Sequence, residues 1–432
     1  MKKTPKKIWI PAIVVFILGS LFLYNRPSVL QKAVLMSTPL IFRDGLIKPY
    51  NKLPKDIHPP VFEIFYATDR QPTDISIINP LFYGNSRSLS LSLGKASVQF
   101  GDDDMNWQDI EKESFKKDRS LKVPIKIVGI KVLNKIGGAS QLLEHSTGEQ
   151  NEQTDRFIKK INKRLSNSET KSINIFVPGF KVDFSYPVLV AAELWHYLGY
   201  PGVFIAYSWP SGQRLRDYLS DVETTTFTAQ HFRMLLQYLA EKTEVEHINI
   251  LSYSAGARIV SQALHELRLM TNGLSKSGLE KALKINQVIF AAPDIDMMLF
   301  RARYRDGFED VAKNITIYTN ANDTALNWAL RFLGWPRLGA PGEMGLAAED
   351  LHSFEIFDKT KIIDVSAAEE AASGNGHGYF VKSPWVSTDL ILILNNNANP
   401  LERGLYKGKE ETIWKFTEKY PLRLGQIVQR NQ

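Results

Sequence analysis

From about residue 155 the chain repeats one pattern: a short, continuously apolar run, then a stretch with helical spacing. A helix over Asp155–Leu165 leads to "SINIFVPGF". The helical stretch "YPVLVAAELWHYLGY" leads to "GVFIAYSWPSG". A helix over about Thr224–Thr243 leads to "HINILSYS", and a helix from Ala257 to about Met270 follows. The runs "INQVIFAAPDID", "NITIYTNAND" and "TKIIDVS" complete the series. Strands that are apolar on both faces and separated by helices predict a mostly parallel sheet covered on both sides. Ligands of such sheets bind beyond the carboxyl ends of the strands, so site residues are sought there.

Upstream, "VFEIFYATDR" (Val61–Arg70) reads as a strand, and "RSLSLSLGKASVQF" alternates as a half-buried strand does. "SLKVPIKIVGIKVL" adds one or two more, while 137–155 reads as a polar loop. The predicted organisation is therefore 1–24, a signal anchor or transmembrane helix; 25–60, a proline-rich tether; 61–150, extra N-terminal strands; 151–395, the catalytic core; and 396–432, a C-terminal helix and tail. "RFLGWPRLG" from Arg331 reads as a lid, a membrane-facing element, or a core helix and turn.

The anchor expectation rests on "MKKTPKK" followed by the uncharged Ile8–Tyr24, just long enough at 1.5 Å per helical residue to cross a bilayer. Lysines ahead of it predict a cytoplasmic N-terminus, hence a single-pass inner-membrane protein with its body on the periplasmic side. A cleaved signal peptide is the rival reading. The formal charge is +7. Taking Lys2, Lys3, Lys6 and Lys7 from the 53 basic residues leaves 49 against 46 acidic ones, a net +3, which gives no case for a nucleic-acid partner. There is no cysteine, which excludes disulfides, thiolate metal sites and a cysteine nucleophile. No metal-ligand spacing, phosphate loop or dinucleotide fingerprint is present, so no cofactor and no metal are expected.

Ser254 stands where "HINILSYS" turns into a helix. Such a turn exposes Oγ and aims a helix N-terminus at whatever it attacks. Ala255 and Gly256 supply the small neighbours a tight turn needs, although Ser252 occupies the place of the usual first glycine. A helix-capping serine is the alternative. A serine nucleophile needs a base. Among eight histidines, His196, His231 and His265 lie in helical patterns and His247 begins a strand, whereas His377 lies in the glycine-rich "ASGNGHGYF" after the last strand. The imidazole needs an acid, and Asp323 ends a strand between Ser254 and His377, in the chain order expected of an α/β-hydrolase sheet. Asp294, Asp296 and Asp364 are rivals. The oxyanion donors would be the N–H groups of Ala255 and of Phe180 in "FVPGF", since Pro178 has none to give. Tyr66, Asp69 and Arg70 either bind substrate or close a strand with local bonds. Trp209 and Pro210 either shape a loop near the pocket or pack.

Together "FYATDR", "GKASVQF", "FVPGF", "YSWPSG", "LSYSAGAR", "AAPDID", "YTNANDTAL" and "GHGYF", in that order over roughly 60–395, resemble a bacterial α/β-hydrolase family of unknown function in the esterase–lipase superfamily. The resemblance implies the α/β-hydrolase fold and a Ser254–Asp323–His377 triad. The chain departs from the family where His-Gly-Phe becomes Pro178-Gly179-Phe180, and where the histidine before the nucleophile becomes Tyr253. The expected function is a membrane-anchored serine hydrolase acting on an ester-type small molecule or lipid through an acyl-enzyme. The alternative is a vestigial hydrolase-fold protein that binds a partner or lipid at the cell envelope.

Overall fold

The computed structural model describes residues 33–45, 47, 57, 59–73, 82–137, 155–212, 214, 217–340, 359–408 and 411–431. Its strands, in chain order, are β1 (Ala33–Val34), β2 (Val61–Pro72), β3 (Tyr83–Phe100), β4 (Pro124–Ile136), β5 (Ser172–Val177), β6 (Val203–Ser208), β7 (His247–Tyr253), β8 (Ile285–Ala291), β9 (Asn314–Thr319), β10 (Thr360–Asp364) and β11 (Trp414–Lys415). They form one 11-stranded sheet in the order β1-β4-β3-β2-β6-β5-β7-β8-β9-β10-β11. The pairs from β1 to β2 are antiparallel. From β2 onward every pair is parallel. The sheet is therefore largely parallel with extra antiparallel strands at its N-terminal side.

The two-residue period of a strand explains why the parallel strands read as unbroken apolar runs. In β5, Ile173, Ile175 and Val177 face one core while Phe176 faces the other. In β6, Val203, Ile205 and Tyr207 divide from Phe204 and Ala206 in the same way. The helices Arg156–Ser166, Tyr218–Lys242 and Gly256–Met270 pack on the first face. Ser185–Leu198 and Pro384–Asn396 pack on the second.

Residues 33–45, within the stretch read as a tether, are bound to this body. The Leu35 N–H donates to the Val123 carbonyl at 2.9 Å. The Met36 N–H donates to Glu193 Oε1 at 2.6 Å, and the Ile41 N–H to Thr388 Oγ1 at 3.1 Å. Leu35, Met36, Ile41 and Phe42 are buried in the second core. At the other end, β11 extends the sheet, and Tyr420 and Leu424 of the last helix are buried against the same core.

The expectation of a transmembrane helix, and with it a membrane anchor, a membrane partner and an inner-membrane location, is corrected here. Crossing the hydrocarbon takes about 20 mostly apolar helical residues. Among the described residues no helix is long and apolar enough to cross a membrane. Ile8–Tyr24, which prompted the expectation, lies outside the described residues.

Candidate active site

Ser254 follows β7 directly and precedes the helix Gly256–Met270. Its φ of 52° lies in the left-handed region, uncommon for a residue with a side chain. Backbone bonds hold it there: its N–H donates to the Ala291 carbonyl at 3.0 Å, and its carbonyl accepts from Asp294 N–H at 3.1 Å. Gly256 is required by contact, because a Cβ there would lie 2.4 Å from the Pro178 carbonyl oxygen and 2.5 Å from that of Val177. Ser252 is tolerated in place of a glycine because its hydroxyl donates to the Ile289 carbonyl of the neighbouring strand at 3.2 Å.

His377 Nε2 lies 2.8 Å from Ser254 Oγ, and His377 Nδ1 lies 2.6 Å from Asp323 Oδ2. An ionised carboxylate only accepts, so Nδ1 carries the proton and Nε2 of the neutral ring accepts from the serine hydroxyl. Asp323 is fully buried, and Ser254 and His377 are nearly so. The other oxygen of Asp323 accepts Leu326 N–H at 3.0 Å, capping the helix Thr324–Leu333.

Asn320 is a supporting residue that the sequence did not single out. Its Nδ2 donates to the carbonyls of Gly376 (2.6 Å) and Ala371 (3.1 Å). The Thr324 N–H reaches the Asn375 carbonyl at 3.0 Å. These bonds stitch the histidine loop to the loop that carries the acid. The loop passes close because Gly376 has φ 68° and no side chain; a Cβ would meet the Asn322 carbonyl at 2.3 Å.

The rival acids are engaged elsewhere. Asp294 accepts from Tyr218 Oη at 2.7 Å and pairs with Arg258 at 3.3 Å and Arg337 at 3.6 Å. Asp296 caps the helix Met297–Arg305. Asp364 accepts from the Ser366 N–H and hydroxyl. Three other histidines have partners of their own: His196 bonds Ser114 and Tyr200, His231 bonds Asp69, and His265 bonds Asp306.

Ala255 follows the serine directly, and Phe180 lies in the loop after β5. Ala255 starts the helix after Ser254, where unpaired N–H groups and the helix dipole favour negative charge. The loop after β5 approaches so closely that a Cβ on Gly179 would lie 2.9 Å from Ser254 Cβ. Among the described residues, no acceptor is found for the backbone N–H of either Ala255 or Phe180. The two departures from the family pattern have local accounts. The Pro178 carbonyl accepts from Trp209 Nε1 at 2.8 Å. The Tyr253 ring packs on His377 with centroids 5.0 Å apart and on Phe380 at 4.7 Å. Tyr66 and Arg70 are wholly buried, bonded to Tyr83 and to Ser208 and Val182 respectively, and Asp69 accepts from Thr228.

Residues 153–394 match the family model described as alpha/beta hydrolase of unknown function (DUF900). No curated protein matches the chain. Solved structures similar to it include one described as the "putative cell surface hydrolase" of Lactobacillus plantarum WCFS1, at 14% identity and a TM-score of 0.32, covering 54% of this chain and 94% of that one. Another is esterase B from Lactobacillus rhamnosis inhibited with a tributyrin phosphonate, at 14% identity and a TM-score of 0.28, covering 53% of this chain and 77% of that one. At such scores neither likeness bears on substrate. The family match covers more than half of the sequence, and the chain belongs to this α/β-hydrolase family, which is related to proteins of the esterase and lipase fold.

Proposed function

We propose that the chain is a serine hydrolase that cleaves carboxylic esters through an acyl-enzyme. The observation that carries this reading is the unbroken line from Ser254 Oγ to His377 Nε2 (2.8 Å) and from His377 Nδ1 to Asp323 Oδ2 (2.6 Å), with Ser254 after β7, Asp323 after β9 and His377 in the loop after β10. As Oγ attacks the ester carbonyl carbon, its proton passes to His377 Nε2 and the carbonyl π electrons move to oxygen. The resulting oxyanion accepts from the Ala255 and Phe180 N–H groups, which have no competing partner among the described residues. The C–O bond to the alcohol then breaks, and the Nε2 proton goes to the leaving oxygen. Water attacks the acyl-enzyme with the same imidazole as base and restores Ser254. Asp323 keeps its charge throughout and stabilises the imidazolium. The preference for esters over amides follows the resemblance of the sequence to the esterase–lipase superfamily.

A fluorophosphonate probe tests the reading. The folded chain should be labelled at Ser254, located by mass spectrometry, and both Ser254→Ala and His377→Ala should abolish the label. Ester turnover in Ser254→Ala should fall by at least about 10⁴-fold. A folded chain that takes no label would sink the proposal and favour a binding role for the fold.

A further inference from the structure

The stretch 178–182, which carries the Phe180 N–H, is fastened at both ends by buried side chains, Trp209 at one and Arg70 and Ser211 at the other. At one end Trp209, wholly buried, donates Nε1–H to the Pro178 carbonyl at 2.8 Å. That oxygen also lies against the Cα of Gly256. At the other end the Val182 carbonyl accepts from Arg70 Nη2 at 2.7 Å and from Ser211 Oγ at 3.0 Å, and the Val182 N–H lies 3.2 Å from the same Oγ. Arg70 is itself held, with Nε on Ser208 Oγ at 3.1 Å and Nη1 on Asn85 Oδ1 at 2.7 Å. These groups come from the ends of β2 and β6, which are adjacent and parallel. Gly179, between the two fastenings, lies so near Ser254 that a Cβ on it would fall 2.9 Å from the serine Cβ, so the loop has little room to shift toward it.

We infer that Trp209 and Ser211 are positioning residues for the reaction, clamping the two ends of the loop so that the Phe180 N–H stays aimed at the developing oxyanion. The inference rests on the ester-hydrolase reading and names what sets its transition-state binding. A donor held in place before the reaction stabilises the oxyanion without being ordered at that moment, and a donor on a slack loop does not.

The test uses the full chain with p-nitrophenyl butyrate, the fluorophosphonate probe and a trifluoromethyl ketone that forms an oxyanion on Ser254. Trp209→Phe keeps an aromatic ring and removes the donor; Ser211→Ala removes only a hydroxyl. For each, kcat per labelled site should fall about 10-fold or more, in the direction of a lost oxyanion donor. KM should stay within about two-fold, and ketone affinity should fall with kcat. A packing role alone would lower the thermal midpoint and leave kcat per labelled site unchanged, and that result in both variants overturns the inference. Should Trp209→Phe fail to fold, Ser211→Ala decides alone. A wild-type chain that does not label at Ser254 overturns the hydrolase reading itself, and the clamp's part in a reaction with it.

Discussion

Asp323 divides its two oxygens between fold and site: Oδ1 caps the helix Thr324–Leu333 and Oδ2 orients His377. Asparagine caps a helix about as well as aspartate. Asp323→Asn should therefore unfold within a few degrees of wild type, while ester turnover drops by about 10⁴-fold because the imidazolium loses its carboxylate. Paired melting curves and rates check this, and an undiminished rate would remove Asp323 from the mechanism. Gly256→Ala should act through the backbone instead. Its Cβ would fall 2.4 Å and 2.5 Å from the carbonyl oxygens of Pro178 and Val177 at the end of β5, which side-chain rotation cannot relieve. Overpacking of this kind costs about 1–3 kcal/mol. Calorimetry should show a lower midpoint, together with lost labelling of Ser254. Ser254, Asp323 and His377 were legible because each breaks the apolar pattern at a strand end or in a glycine-rich loop, in a telling order. What physically brings His377 to Asp323 was not legible, since the 371–378 loop meets the 320–324 loop through Asn320, a contact with no local sequence signal.

At the scale of elements, the parallel strands were legible because burial on both faces leaves an unbroken apolar signature. The docked segment 33–45 was not, because Leu35, Met36, Ile41 and Phe42 follow neither a strand nor a helix period. Part of its attachment runs through Glu193, on the helix Ser185–Leu198, whose carboxyl accepts the Met36 N–H. Burial pushes the Glu193 carboxyl up from 4.5 to about 8, against the Met36 N–H and Arg119, which pull it down. Between those values the folded chain holds a proton that the unfolded chain has released, so this group lowers stability as pH rises from about 4.5 to about 8. Glu193→Gln keeps an oxygen for the Met36 N–H and removes the titration. Its stability advantage over wild type should grow across that window and level off above it. Denaturant unfolding at pH 5, 6.5 and 8 reads this directly, and a constant difference would mean that Glu193 is ionised in the folded chain.

The described residues form one sheet with a core on each face, so a loss at one edge reaches the site through the helices. Compared with a chain that begins at Ala33, one that begins at Val61 lacks β1 and four buried apolar side chains. At about 1.5–3 kcal/mol each, these contribute roughly 6–12 kcal/mol, against a typical total stability of about 5–15 kcal/mol. The truncation also removes the Met36 and Ile41 bonds to Glu193 and Thr388, on the two helices covering the second face. It opens the edge of β4, where Pro124 and Ile125 now pair with β1, and an open edge invites association with other chains. One of the uncovered helices, Ser185–Leu198, begins just after the clamped 178–182 loop, and Phe184 between them is buried in the same core. The chain beginning at Val61 should therefore lose its cooperative melt, scatter light as it associates, and take no fluorophosphonate, although Ser254, Asp323 and His377 are all present. A sharp melt with labelling intact would show that the site needs only the parallel part of the sheet.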